Sequence, residues 1–184
     1  MKKVVKFGGS SLASAEQFMK VGAIIRADES RRYVVPSAPG KRFSDDTKVT
    51  DMLYHCYELA EQSKAFNKQL NQIKDRYNEI IYGLKLDLSL DEDFEIIKKQ
   101  FVAKAGSMYA ASRGEYLNGK IMAKYLGYEF VDAANVIRFN KDGSFDSETT
   151  NELLATYLDK IERAVIPGFY RLLLSQYNAD FSEP

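Results

Sequence analysis

The stretch VVKFGGSSLASAEQF, residues 4–18, decides how the rest of the chain is read. Val4, Val5 and Phe7 give it the composition of a short strand, with Lys6 inside the pattern. Gly8 and Gly9 stop the strand, Ser10 and Ser11 follow, and a helical pattern runs from about Ser14 to Ala27 with Phe18, Val21, Ile24 and Ile25 on one face. Strand, tight turn and helix make a βα unit. Two adjacent residues without a Cβ let the backbone approach a polyanion, the helix beyond presents unpaired N–H groups, and Lys6 adds a full positive charge. The corner therefore suits phosphate, although a plain Gly-Gly turn with a solvated lysine has the same sequence. It has neither the spacing of a Walker loop nor the three spaced glycines of a dinucleotide fingerprint.

The format recurs in RRYVVPSAPGK, residues 31–41, where Tyr33 to Val35 read as a buried strand and Pro36, Pro39 and Gly40 punctuate a loop. From about 50 to 105 the pattern becomes helical. Met52, Leu53, Cys56, Leu59 and Ala60 form one stripe, Phe66, Leu70, Ile73, Tyr77 and Ile80 a second, and Phe94, Ile97 and Phe101 a third. Three successive helices read either as an insertion forming a lid over an α/β fold or as part of its scaffold. A further helix from about Met108 to Leu126 stops at Gly127, a left-handed terminator. YEFVDA, a helix opened by Ser147 and Glu148 with Leu153, Leu154, Tyr157, Leu158 and Ile161, and the strand-like RAVIPGF complete the alternation. The expectation is an α/β fold with a largely parallel sheet. Ligands in such folds sit beyond the carboxyl ends of the strands, which selects Gly8, Gly9 and Ser10, then Ser37 and Gly40, then Asp132, then Gly168 and Phe169.

Composition removes several classes. With 184 residues, 45% hydrophobic and 28% charged, the chain is globular rather than disordered, and its length supports a core without metal or disulfide staples. The 26 basic and 26 acidic side chains form no long block, so neither nucleic acid nor a membrane surface is expected as a partner. Cys56 stands alone, which excludes an internal disulfide and fits a reducing cytosol. No apolar run approaches the roughly 18 residues of a membrane span, and the expected location is cytoplasmic.

KFGGSS at 6–11 (with its lysine, Lys6, first), VVPSAPG at 34–40, SRGE at 112–115 and AVIPGFY at 164–170 occur in this order, and together they resemble the aspartokinases of the amino acid kinase superfamily. The resemblance covers about residues 2 to 170 and implies ATP-dependent phosphorylation of the side-chain carboxylate of L-aspartate to 4-phospho-L-aspartate, the first step toward lysine, threonine and methionine. It implies that Lys6 contacts the transferring phosphoryl group. Gly8, Gly9 and Ser10 resemble the turn at the ATP phosphates. Ser37 takes the place of the second loop at the substrate, Thr50 that of the substrate-binding threonine, and Glu115 that of the carboxylate gripping the substrate amino group. Arg113, Gly168 and Phe169 fall in the substrate-pocket motifs. Thr50 reads equally as an N-cap of its helix. Mg²⁺ is expected to arrive with ATP, which agrees with its preference for phosphate and water ligands, and Asp45, Asp46 and Asp51 read as loop and cap residues. His55 reads as a surface or structural residue and Cys56 as a packed apolar one. A carboxylate acceptor is already ionised at neutral pH, so the chemistry needs no catalytic base.

After residue 170 the pattern departs from the family: RLLLSQYNADFSEP, 171–184, stands where a Gly-Gly-Ser-Asp motif, a nucleotide lobe and two ACT modules are expected. The reading at this point is the substrate and phosphate side of an aspartokinase catalytic domain over 1–170, with a divergent or truncated tail. It carries two further expectations: an exposed sheet edge beside the last strand, covered by RLLLSQY or by self-association, and reduced or absent activity of the chain alone. The competing readings are a kinase for another small carboxylate, such as glutamate, and a folded binding domain without catalysis.

Overall fold

A computed structural model describes residues 1–169. The first strand, β1 (Lys3–Phe7), enters a 3₁₀ turn (Gly9–Leu12) and then helix α1 (Ala15–Arg26). Ser14 caps α1 by accepting the Gln17 N–H, and Phe18, Val21, Gly22 and Ile25 face inward. Ile24, expected on that face, is half exposed at 49%, because it lies about 120° around the helix from the stripe, and Gly22 packs in its place against the Tyr125 ring.

β2 (Arg31–Pro36) follows and pairs parallel to β1, Lys6 beside Val35. Then come α2 (Val49–Glu61), α3 (Asn67–Gly83), α4 (Asp91–Val102) and the long α5 (Ser107–Leu126). The apolar stripes predicted for α3 and α4 are buried throughout, and in α2 Leu53, Cys56 and Ala60 are buried with Tyr57 added. Between the two roles open to these helices, the packing selects scaffold. Leu53, Ile73, Phe101 and Leu117 share one core with Val34 and Val165 of the sheet, so α2 to α4 cover the sheet through α5 rather than hanging over it. Tyr77 on α3 donates its hydroxyl to the Gly114 carbonyl of α5 at 2.8 Å, inside that core.

Three helices are followed by a left-handed residue that is not glycine. Ser63, Lys85 and Lys104 take left-handed φ of 57°, 54° and 57°, and the next residue's N–H returns to the last turn: Lys64 to Leu59, Leu86 to Ile81, Ala105 to Gln100. These are Schellman endings in which the hydrogen bonds and core packing outweigh about 1 kcal/mol of backbone strain each. Gly127, φ 71°, ends α5 as predicted.

The remaining described chain is β3 (Glu129–Phe130), α6 (Ala133–Val136), α7 (Ser147–Leu158) and β4 (Ala164–Val165). Asp146 caps α7 by accepting the Thr149 N–H, and Ile161 lies past the helix end. The sheet order is β1-β2-β4-β3, all parallel. Both late strands are shorter than their sequence patterns, and Pro167, which has no N–H, closes β4's ladder just after Ile166 donates to Val34. Among the described residues, the sheet edge expected beside the last strand does not lie there: β4 is paired on both sides, and β1 and β3 are the outer strands. Segment 171–177, expected to cover it, lies outside the described residues.

Candidate active site

Strands β1, β2 and β4 deliver their carboxyl ends to one corner of the sheet, and α5 crosses beside it. Phe7 accepts the Ser37 N–H at 3.0 Å, which locks the ends of β1 and β2 together. One step further on, Gly40 donates its N–H to Gly9 at 2.8 Å. A Cβ on Gly9 would stand 2.8 Å from the Ala38 carbonyl oxygen, and one on Gly40 2.6 Å from the Gly9 carbonyl carbon, so both glycines are required by backbone-to-backbone contact between the loops. At Gly8 the opposite holds: a Cβ would meet nothing within 4 Å, and the backbone there faces open space.

The two loops, the first turn of α2 and Glu115 of α5 line a cavity of about 530 Å³. Its wall holds Gly9, Ser10, Ser37 and Thr50 among the residues selected from sequence, together with Glu115. Lys6 donates to the Ser37 hydroxyl at 3.4 Å, and its charge acts on Glu115. The backbone N–H groups of Gly168 and Phe169 act on the Glu115 carboxylate, so the β4 end serves the cavity through its backbone. Burial raises the Glu115 pKa above its ordinary value, opposed by Lys6 and by those two N–H groups. A partly desolvated carboxylate beside a lysine and two hydroxyl side chains can hold an ammonium group while the lysine holds an anion.

Arg113 is not part of this group. Two residues before Glu115, it points to another side of α5, where its guanidinium lies between the Tyr109 and Tyr116 rings at 4.7 and 4.5 Å and donates to the Ser112 hydroxyl. Thr50 is not an N-cap. Pro39 accepts the Val49 N–H, so α2 starts earlier, Lys48 occupies the cap position, and Thr50 falls inside the first turn on the cavity wall. Asp132 caps α6 through the Ala134 N–H. Asp46 is engaged by the guanidinium groups of Arg42 and Arg76. His55 is exposed beside Glu58, and burial pushes the Cys56 thiol up to about 12, which makes it a packed apolar group.

Sequence reasoning missed Lys41 and Lys48, which add two cations to the wall. The basic residues of GKRFSDDTK were visible, but their loop had no periodicity to place them. It also missed Asn118, fully buried one turn after Glu115, whose amide donates to the Ser37 carbonyl at 2.7 Å and fixes the second loop on α5. The three-residue spacing from Glu115 was the available signal.

A parallel α/β unit with glycine-closed loops carries a lysine-carboxylate cleft at its strand ends, with the size and charge of a site for small charged molecules. Comparison with known proteins makes the class specific. The amino acid kinase family model matches residues 1–180, and the chain belongs to that family. Aspartokinase 3 of Bacillus subtilis (strain 168) is 38% identical over 140 residues, 73% of this chain and 31% of the relative. The crystal structure of Clostridium acetobutylicum aspartate kinase superposes with a TM-score of 0.87 at 48% identity over 92% of this chain and 39% of that one. E. coli aspartokinase III, solved in complex with aspartate and ADP, matches at a TM-score of 0.72 and 22% identity over 92% of this chain and 41% of that one, a likeness of fold. The chain thus spans 31% to 41% of the length of these relatives. Among the described residues, no helix is long and apolar enough to cross a membrane.

Proposed function

We propose that this chain carries the amino-acid and phosphate side of an aspartate kinase site, which transfers the γ-phosphoryl group of Mg·ATP to the side-chain carboxylate of L-aspartate. The observation that carries this reading is the meeting of Lys6, Ser37, Thr50 and Glu115 around one cavity, with Lys6 3.4 Å from the Ser37 hydroxyl. The E. coli aspartokinase III structure with aspartate and ADP bound supports the choice of ligands.

In this reading Glu115 takes the α-ammonium group of aspartate, and its partial burial strengthens that pairing over what water would allow. Thr50 and Ser37 offer hydroxyls to the substrate, with Lys48 on the same wall. The open backbone at Gly8, with Gly9 and Ser10 beside it, receives the ATP phosphates, and Mg²⁺ enters as part of the nucleotide. An oxygen of the aspartate side chain bonds to the γ-phosphorus while the bond from that phosphorus to the β,γ-bridging oxygen breaks, and ADP leaves. The nucleophile arrives ionised, so no proton is removed. The work of the site is alignment and neutralisation of the phosphoryl oxygens by Lys6.

The test traps the acyl phosphate. Purified chain with Mg·ATP, L-aspartate and hydroxylamine should form aspartyl hydroxamate above the no-enzyme blank. L-glutamate in place of aspartate separates the competing carboxylate substrate. Bound aspartate without hydroxamate would reduce the reading to a binding domain, and neither binding nor hydroxamate would overturn it.

A further inference from the structure

The loop from Gly40 to Lys48 brings Gly40, Lys41 and Lys48 to the cleft, yet it belongs to no strand and has no apolar anchor of its own. Phe43, its one large apolar side chain, is 60% exposed. What holds the loop is Arg76 of α3, a helix that contributes no residue to the cleft wall. Arg76 is buried at 5% exposure. Its Nη2 donates to the Gly40 carbonyl at 3.0 Å, and its Nη1 donates to the Thr47 carbonyl at 3.2 Å and to the Asp46 carboxylate at 3.0 and 3.2 Å.

One guanidinium therefore joins the two ends of the loop, a span that suits a rigid planar fork and not the compact ammonium of lysine. The arrangement is reinforced from outside. Arg42 grips Asp46 through Nε at 2.9 Å and through its own backbone N–H at 2.9 Å, and reaches back to Glu79 of α3 at 2.8 Å. The Arg42 guanidinium holds the Asp46 carboxyl well below its ordinary range. Beside this network lies a second cavity of about 540 Å³, lined by Arg42 and Asp46 of the loop, Asp51 and Met52 of α2, and Arg76 and Glu79 of α3.

The two bonded ends lead directly into the cleft. Gly40, held by Arg76 through its carbonyl, donates its own N–H to Gly9, and Thr47 is followed by Lys48 and by Thr50 in the first turn of α2. We propose that Arg76 is a positioning residue of the cleft: by bridging the Gly40 and Thr47 carbonyls it sets the distance between the Gly9 turn and the Lys48–Thr50 wall, and so the fit of the amino-acid substrate. The proposal rests on reading that cleft as the aspartate site.

Arg76→Lys keeps the charge and the stem and loses the fork. In this variant amide hydrogen exchange should quicken at least tenfold over residues 40–50 and stay at wild-type levels in the α3 and α4 core around Ile73 and Phe94, while calorimetric titration shows L-aspartate bound at least tenfold more weakly. Unchanged exchange at 40–50 would overturn the proposal, as would a loosened loop with affinity within twofold of wild type, or protection lost evenly through α3 and α4. Asp46→Asn, which removes the charge anchoring the guanidinium but keeps its shape, should loosen the same segment and weaken binding two- to fivefold. If Arg76→Lys fails to fold, this second variant decides: wild-type exchange at 40–50 rejects the clamp. If the wild-type chain binds no aspartate, the reading of the cleft fails, and the exchange data alone still decide whether Arg76 holds the loop.

Discussion

Residues 3–126 and residues 129–169 are packed differently. In the first region Leu53, Ile73, Phe101 and Leu117 are completely buried in one core joining β1, β2 and five helices. In the second, the apolar residues of α7, Leu153, Leu154, Tyr157 and Leu158, are only half-buried, and the small cluster that the last three join centres on Tyr33, Val131, Val136 and Ala164. The division follows what each region gives to the cleft. Among the described residues, the polar side chains of the cleft (Lys6, Ser10, Ser37, Lys41, Lys48, Thr50 and Glu115) ride on the first, while the second supplies backbone N–H groups from Gly168 and Phe169. Side chains that must meet within a few tenths of an ångström need the rigid region, whereas an N–H needs only the end of a paired strand.

The largest test of this contrast is stability. Leu53→Ala should cost about 3 kcal/mol in urea unfolding, since it leaves a cavity in a closed core, and Leu154→Ala about 1 kcal/mol, since solvent already reaches that site. Equal losses would erase the distinction. Next comes the contact between the loops. Gly9→Ala drives a Cβ into the Ala38 carbonyl and should cost about 2 kcal/mol, with weaker ligand binding, while Gly8→Ala, whose Cβ meets nothing, should stay within about 0.5 kcal/mol in the same assay. Tyr77→Phe removes the hydroxyl that bonds the Gly114 carbonyl, which keeps its donor within α5, and should cost about 1 kcal/mol.

Much of this first region is legible in the sequence. The βα unit at residues 4–18 and the stripes of α3 and α4 follow from apolar periodicity, which tertiary packing then obeys. The ends of α2, α3 and α4 are not legible, because Ser63, Lys85 and Lys104 adopt a glycine-like conformation that nothing local announces. The late strands read too long, since their length is set by neighbours in the sheet rather than by their own residues. In the cleft, Lys6, Ser37, Thr50 and Glu115 could be selected because motifs mark strand ends and one helix face. Asn118 and Arg76 could not, because each acts through a contact far away in sequence, Arg76 with Gly40 and Asn118 with Ser37, and Lys48 could not, because its loop lacks periodicity. Arg113 shows the reverse, a motif residue that helix geometry turns toward the Tyr109 and Tyr116 rings.

The smallest expected effect concerns pH. Burial raises the Glu115 pKa, so the folded protein holds that proton more tightly than the unfolded chain does, and stability falls as pH rises through the folded value. Glu115→Gln removes this loss. The variant should be slightly more stable than wild type at neutral pH, with the gap closing as the pH drops below the ordinary carboxylate range. A variant less stable at neutral pH would mean that the charge of Glu115 is fully compensated by Lys6 and the Gly168 and Phe169 N–H groups.

The same substitution tests the central claim most directly. In calorimetric titration at neutral pH, the wild-type chain should bind L-aspartate and the folded Glu115→Gln variant should lose at least about tenfold in affinity, because the substrate ammonium loses its charged partner. Equal affinity in the two proteins would contradict the assignment of this cleft as the aspartate site.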